Sequence, residues 1–585
     1  MIVYGDRERT VALDSELTSL VMRMEGARSR ASFDRHAALA ALAIDVGSVV
    51  QGLLDREFVR DGVDDLTACQ RACAQASSSA ARAFVHCLSG REPRWEELAL
   101  ALQQLRTFAA HGTLALRDPE GYAFYALYPE LYIHAARQLQ LDRACDVQVI
   151  GIRSIGCSLA PLVAAALGSA RDACTVRPTG HPFARELRIG AELEAALLRA
   201  RSKTVFAVVD EGPGMSGSSF DAVLRYLTAR EVGREQIVLF PSHPGQPGPV
   251  CSAPARERYL QTERALVTFD SYFDGTSPRR TLSRWFEREL ERPIRACEDL
   301  SAGRWRAHRA FDPGGLPASY AREERRKYLL TNDQGAWLMK YTGLGGSAPM
   351  LSERARILSE AGFTPRWLGA RHGFTLTQFE QAAQPLEHVE RQCVIERLAA
   401  YLTFLTKTFP RAASCGAGPS SLAELIVHNA GELLGSEHAL VAASLREQVP
   451  GLCETHRVTA TDNKLEAYEW LCTSDGRLLK CDAEDHCAGH DCIGCQDPAW
   501  DLAGACVELA LTPSELEQVQ RQLWDGARYR ANHAKLRFYR LAYAAFRAGR
   551  AHYGVDSLRG WAEDDAQRVE LERLRYTHEL QTLLA

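Results

Sequence analysis

The chain has 585 residues, 46% of them hydrophobic and 24% charged, with a formal net charge of −5. That length is enough for two to four domains with cores of their own, and the composition is that of a soluble globular protein. The acidic balance argues against a basic, nucleic-acid-coating surface, and the opening MIVYGDRERT lacks the basic-then-apolar pattern of an export leader.

Residues 1–112 are rich in Ala, Leu, Arg and Glu at helical spacing, as in HAALAALAIDVGSVVQGLL, and predict a helical cap or scaffold. The apolar stretch 36–54 is interrupted by Asp45 and Gln51, so it reads as a core helix and not as a membrane span. The texture changes in residues 113–275. The runs DVQVIGI, TVFAVV and QIVLFPS alternate with the helical runs SLAPLVAAALG and SSFDAVLRYLTARE. Continuous apolar strands alternating with helices predict a parallel sheet covered on both faces, with ligands at the carboxyl ends of its strands. Residues 276–324, with GTSPRR and DPGGLP, read as a helical connector. A second, α+β domain is expected over 325–585, beginning with the hairpin KYLL-TNDQG-AWLMKY. The 17 cysteines are scattered and, with no leader, are expected to be reduced thiols in a cytoplasmic protein.

The run VVDEGPGMSGSS places Asp210 and Glu211 at the end of a strand, before a glycine-serine turn and a helix. A helix N-terminus offers free N–H groups to a phosphate, and Gly217 permits close approach. Ser216, Ser218 and Ser219 add hydroxyl donors, while the two carboxylates suit sugar hydroxyls. Upstream, VIGIRSIGCSLA is again strand, tight loop and helix, with an Arg suited to a polyanion.

These two loops resemble those of the type I phosphoribosyltransferases, in a bacterial subgroup associated with stress and tellurite resistance. The resemblance implies that Asp210 and Glu211 bind the ribose hydroxyls of 5-phosphoribosyl 1-diphosphate (PRPP). It implies that Gly214, Ser216, Gly217, Ser218 and Ser219 cradle the 5-phosphate, and that Arg153, Ser154 and Gly156 form the diphosphate loop. VRPTGHPFARELRIG resembles the mobile loop of orotate-type members, with Arg177, His181 and Arg185 as its candidates, but it has no Lys. Gly212, Pro213 and Met215 also depart from the family's aliphatic and Thr residues. The aromatic segment PEGYAFYALYPELY is either core or part of an acceptor pocket. The implied reaction is displacement of diphosphate from the anomeric carbon by a nucleobase-like acceptor, with Mg²⁺ on the diphosphate.

The C-terminal domain resembles aminoglycoside phosphotransferases and protein kinases. On that resemblance Lys340 pairs with Glu353 to hold ATP phosphates and Asp482 binds Mg²⁺. TDNKLEAYEWL, with Asp462 and Glu469, stands as the catalytic loop, and Asp501 of QDPAWDLAGA braces it. Ala467 stands five residues after Asp462, where an Asn is usual, and no glycine-rich loop precedes Lys340. Cys492 and Cys495, in a Cys/His-rich run, have a zinc-type spacing, with reduced thiols as the other reading. The expected partners are small molecules, with neither membrane nor nucleic acid among them and oligomerisation left open. A regulatory protein that senses PRPP or a nucleotide on a degenerate kinase-like scaffold is the alternative function.

Overall fold

The computed structural model describes residues 1–5, 8–30, 32–141, 145–311 and 315–585. Its N-terminal layer consists of α1 (Leu13–Ser29), α2 (Ser32–Asp61), α3 (Ala68–Leu88) and α4 (Trp95–Leu105). The helix α2 is long and apolar enough to cross a membrane, but 83% of its apolar window is buried inside the protein. A strand pair closes this layer. β1 (Glu8–Ala12) runs antiparallel to β2 (Thr113–Arg117), a pairing across about a hundred residues that alternating ERTVA alone could not announce.

The central sheet contains β3 (Asp146–Ile152), β4 (Cys174–Val176), β7 (Thr204–Val209), β8 (Ile237–Phe240) and β9 (Glu263–Arg264). Their order is β4-β3-β7-β8-β9 and every pair is parallel. The alternation of apolar strands and helices predicted this arrangement, since strands covered on both faces need no polar side. One face carries α2, α3 and α6 (Gly156–Leu167), and the other carries α7 (Ser218–Thr228). The α5 helix (Pro129–Gln138) packs beside α6. A small antiparallel hairpin, β5 (Thr179–His181) with β6 (Ala184–Glu186), stands off the sheet.

In a sheet of this order the direction of winding reverses between β3 and β7. The loops leaving those two strands therefore open a crevice at their carboxyl ends. They are the two loops that carry Arg153–Gly156 and Asp210–Ser219.

The expected connector contains more than helix. Short helical turns do occupy 278–290, but β10 (Ala296–Asp299) is the edge strand of a second sheet, ordered β10-β11-β12-β14-β13 and antiparallel throughout. Its other strands are β11 (Lys327–Asn332), β12 (Gly335–Tyr341), β13 (Trp367–Arg371) and β14 (Phe374–Gln378). Residues 312–314 of DPGGLP lie outside the described residues. The α8 helix (Ala348–Glu360) follows β12, and a mainly helical lobe includes α9 (Arg391–Thr408), α10 (Ala499–Glu508), α11 (His533–Leu558) and α12 (Glu563–Leu584). The small hairpin β15 (Trp470–Cys472) and β16 (Leu478–Lys480) lies between sheet and lobe. One apolar cluster runs from the N-terminal helices through one face of the parallel sheet to Met339, Tyr341 and Phe374 of the second sheet, so the two halves share a core.

Candidate functional site

At the crevice, Gly156 opens α6 hard against β3. A Cβ at this position would lie 2.7 Å from the Gly151 carbonyl carbon and 3.2 Å from the Val209 oxygen, so only glycine allows this approach. Across the crevice, Asp210 and Glu211 leave β7. The Glu211 N–H donates to Asp210 Oδ1 at 2.9 Å, and the Gly121 N–H donates to Glu211 Oε2 at 3.0 Å. The Tyr132 hydroxyl donates to the Asp210 carbonyl at 2.8 Å. The segment 119–132, which sequence left open between core and site, therefore touches both acids. Gly121 is tightly placed there, since a Cβ would stand 2.8 Å from Glu211 Oε2.

Neither acid has an ion-pair partner among the described residues. Burial pushes Asp210 up to about 7, opposed by the Glu211 N–H and by Arg185 and Arg177 at longer range. Burial, then Asp210 and Glu120, push Glu211 up to about 8.

The turn after the acids ends at Gly217, whose φ of 62° is left-handed, and then opens α7. The β5–β6 hairpin lies on this turn. Ser216 Oγ and Ser218 Oγ donate to the Pro182 carbonyl at 3.1 and 2.7 Å, and Arg185 Nη1 donates to Ser219 Oγ at 3.4 Å. Gly214 is exposed, and its carbonyl accepts the Gly248 N–H at 3.0 Å. His181 is exposed on the hairpin, where its Nδ1 accepts the Phe183 N–H, and it does not reach the acids.

The arginines are placed differently from the expectation. The side chain of Arg153 is fully buried, with Nη1 3.2 Å from Asp55 Oδ1 and Nη2 on Asp64. Arg177 also grips Asp55, with Nε donating at 2.8 Å, and its N–H donates to Asp64 at 2.7 Å. Both guanidinium groups thus tie the sheet to α2 and the chain just after it, and they are not presented to a diphosphate. Ser154 stays in the tight loop, where its carbonyl accepts the Cys157 N–H.

In the C-terminal half a cavity of about 230 Å³ opens between the second sheet and the helical lobe, lined by Trp305, Lys340, Lys464, Glu469, Asp482 and His486 among others. Lys340 sits within 3.2 Å of Asp482, 3.0 Å of Glu484 and 3.1 Å of Asp485. Burial would raise the Asp482 carboxyl, but Lys340 and then Lys327 hold it well below the usual range. Glu353 is not Lys340's partner. It faces solvent on α8 and pairs with Arg356. The next residue, Arg354, is the buried one, and donates to the carbonyls of Ala483 at 3.0 Å and Ala460 at 2.7 Å.

The loop at 461–470 is braced by Asp501, whose two oxygens accept the N–H groups of Asp462 and Asn463, each at 2.9 Å. Asp462 is fully buried and does not line the cavity. Its carboxylate accepts from Tyr401 at 2.5 Å and lies 2.9 Å from His486 Nδ1. Asp462, Glu469 and His486 converge closely enough to hold a cation, but the Lys480 ammonium already bonds Glu469 and lies 3.5 Å from Asp462. In the Cys/His-rich run, among the described residues, no cysteine joins a convergent group of three metal-capable side chains. The Cys492 N–H donates to the Val3 carbonyl at 2.8 Å, while Cys495 lies against Cys487. GLGG, residues 343–346, is a docking turn. The Leu344 N–H donates to the Tyr122 carbonyl at 3.0 Å and the Gly346 N–H to Asp45 at 2.7 Å.

No protein-family model matches the sequence, and no curated protein matches it. Among solved structures, the choline kinase LicA of Streptococcus pneumoniae is 14% identical, with a TM-score of 0.34 over 51% of this chain and 96% of that one. A choline/ethanolamine kinase family protein of Mesorhizobium loti is 16% identical, with a TM-score of 0.28 over 44% and 90% of the two chains. Spectinomycin phosphotransferase, solved with ADP and spectinomycin, is 10% identical, with a TM-score of 0.29 over 44% and 90%.

Proposed function

We propose that the central domain transfers the 5-phosphoribosyl group of PRPP to a nucleobase-like acceptor. The observation that carries this reading is the Asp210–Glu211 pair, partly buried with no ion-pair partner among the described residues, beside a serine turn at the crevice where a parallel sheet of this order takes ligands. A partly buried acid pair with proton affinities this high suits a ligand that brings its own hydroxyl donors, as a ribose diol does. The Ser216 and Ser218 hydroxyls and the first N–H groups of α7 would take the 5-phosphate in place of the Pro182 carbonyl, so the hairpin must shift for the donor to enter. Mg²⁺ would enter with the donor, on its diphosphate oxygens, where it would neutralise charge on the leaving group. In the reaction the acceptor nitrogen bonds to the anomeric carbon as the bond to the diphosphate oxygen breaks. The acids hold the sugar in place while the loop at 153–156 faces the departing group through backbone alone.

The test is diphosphate release from PRPP and Mg²⁺ with a panel of nucleobases, comparing wild type with Asp210→Asn/Glu211→Gln. Release that is lost in the variant supports the reading. Wild type that neither binds PRPP nor releases diphosphate, or a variant that equals wild type, rejects it.

A regulatory reading has its own support. Arg153 and Arg177 are committed to Asp55 and Asp64, and Lys340 to three carboxylates, so the side chains that would drive either transfer are held in structural pairs. Under that reading PRPP or a nucleotide such as ATP binds without turnover, and the same assay separates the two, since PRPP binding then persists with no diphosphate released across the panel.

A further inference from the structure

Three side chains from distant parts of the chain meet in the interior, away from both sites. His36 lies on α2, Glu130 on α5, and His372 in the two-residue turn between β13 and β14. The Nε2 atoms of His36 and His372 lie 2.6 and 2.7 Å from the same oxygen, Oε1 of Glu130. All three residues are buried, at 2%, 7% and 1% exposure for His36, His372 and Glu130.

As a hydrogen-bonded triad this cluster is poorly satisfied. Both imidazoles crowd one oxygen, while Glu130 Oε2, His36 Nδ1 and His372 Nδ1 have no partner. Bare buried polar atoms lose their hydration without a hydrogen bond in return, which destabilises a fold. The backbone at His372 is also unusual, with a φ of 43° in a hairpin turn that favours Gly, Asn or Asp. A sequence that keeps His there departs from local preference, and such departures collect at functional positions. Two imidazoles and one carboxylate, with ligand atoms all within 4.8 Å of one another, form a donor set for a divalent transition metal. Rings packed around the cluster, namely Phe33, Phe84, Tyr128 and Trp285, fix the imidazoles where outer hydrogen bonds usually do so.

Glu130 also lines a cavity of about 200 Å³ together with His134, Arg137, Tyr272, Arg279 and Arg280. Of the three, Glu130 alone lines it.

We propose that His36, Glu130 and His372 bind one divalent transition metal, with Glu130 the ligand that borders this arginine-lined cavity. A tetrahedral centre with bonds of about 2.0–2.1 Å needs donor atoms about 3.3 Å apart, so the carboxylate draws back by about 0.6 Å on binding.

The test uses the full-length protein. Metal content after purification is measured first. Chelator-stripped protein is then titrated with Co²⁺ and with Zn²⁺, following the visible d–d bands of cobalt and their displacement by zinc. His372→Asn keeps a residue that tolerates the turn and removes one ligand, and Glu130→Gln is a second variant that removes the charge. One equivalent of metal in wild type, and Co²⁺ binding at least about a hundredfold weaker in a folded variant, are expected. The thermal midpoint of wild type should rise with metal, and that of the variants should not. Wild type that carries no metal and gives no cobalt spectrum overturns the proposal, as does a folded His372→Asn that binds like wild type. If neither variant folds, the wild-type stoichiometry and spectrum decide.

Discussion

Replacing Asp210 by Asn should stabilise the protein above neutral pH while removing its capacity for the donor. Each tenfold change in proton affinity corresponds to about 1.4 kcal/mol, so a carboxyl moved from 3.8 to about 7 carries on the order of 4 kcal/mol against its ionised form. Solvent still reaches this partly buried group, which reduces the expected figure to about 2–3 kcal/mol. The sign follows from proton binding. The folded state keeps its proton to a higher pH than the unfolded chain, so the Asp210 contribution to wild-type stability falls as pH rises from about 4 to about 7 and then levels, while the Glu211 contribution falls on to about pH 8. Asn has no such dependence and can still accept the Glu211 N–H through its oxygen. Its advantage should be absent near pH 4, grow through pH 7, and reach its full value by pH 8.5. Loss of the neighbouring charge should also lower the Glu211 carboxyl from about 8. Urea unfolding of wild type and Asp210→Asn at pH 4.5, 7 and 8.5, with calorimetric titration of Mg²⁺-PRPP, measures both halves. A variant less stable than wild type at pH 8.5, or a gain equal at all three pH values, would refute the claim that this acid lacks a counter-charge.

Other consequences follow from the ion network and the hairpin. Arg153→Ala leaves Asp64 buried without its main partner and should destabilise the protein by about 3–5 kcal/mol, seen in the urea midpoint. Asp64→Asn with Arg153→Met should recover part of this loss, because the pair is removed together. Ser216→Ala/Ser218→Ala deletes two hydrogen bonds to Pro182, together about 1–3 kcal/mol, so limited chymotryptic cleavage at exposed Phe183 should accelerate roughly tenfold. Lys340→Met strips three carboxylates of their shared ammonium and should cost about 3–5 kcal/mol at pH 7. Partial recovery at pH 4, as Asp482 and Asp485 take up protons once the ammonium that holds both below the usual carboxylate range is gone, would show in the same unfolding curves.

Strand periodicity made the parallel sheet readable, and the loops at its reversal followed from it, because both signals are local. Asp501 was reached by another route, the resemblance carried by QDPAWDLAGA, and its carboxylate does accept two consecutive N–H groups of the loop at 461–470. Side-chain partnership across the chain was not readable. Arg153 has the composition of a polyanion ligand, and nothing near it in sequence announces Asp55 and Asp64 on and just beyond a helix some ninety residues earlier. Glu353 was expected on the inner face of its helix as the partner of Lys340, and it lies on the outer one. A single step along a helix turns a side chain by about 100°, which is the difference between solvent for Glu353 and the buried face for Arg354. His36, Glu130 and His372 share no motif, since 94 and 242 residues separate the histidines from the glutamate. Only burial and convergence reveal them.

The segment 118–132 holds the two halves in a fixed relation. At one end the Gly121 N–H and the Tyr132 hydroxyl hold the acid pair. On its other side, the Tyr122 carbonyl accepts both the Tyr341 hydroxyl and the Leu344 N–H of the second sheet, and the Tyr128 hydroxyl donates to the His372 carbonyl. Phe124 and Tyr125 then reach the C-terminal cavity, and the Ala123 carbonyl accepts from Arg325, which also pairs with Asp485 beside Lys340. Each of these hydrogen bonds has a backbone group on at least one side, and the tyrosine bonds to the second sheet are buried, so the segment cannot slide against either sheet without losing several hydrogen bonds at once. A linker between independent domains needs none of these contacts, which is why the aromatic density of this stretch belongs to a shared interior and not to a boundary.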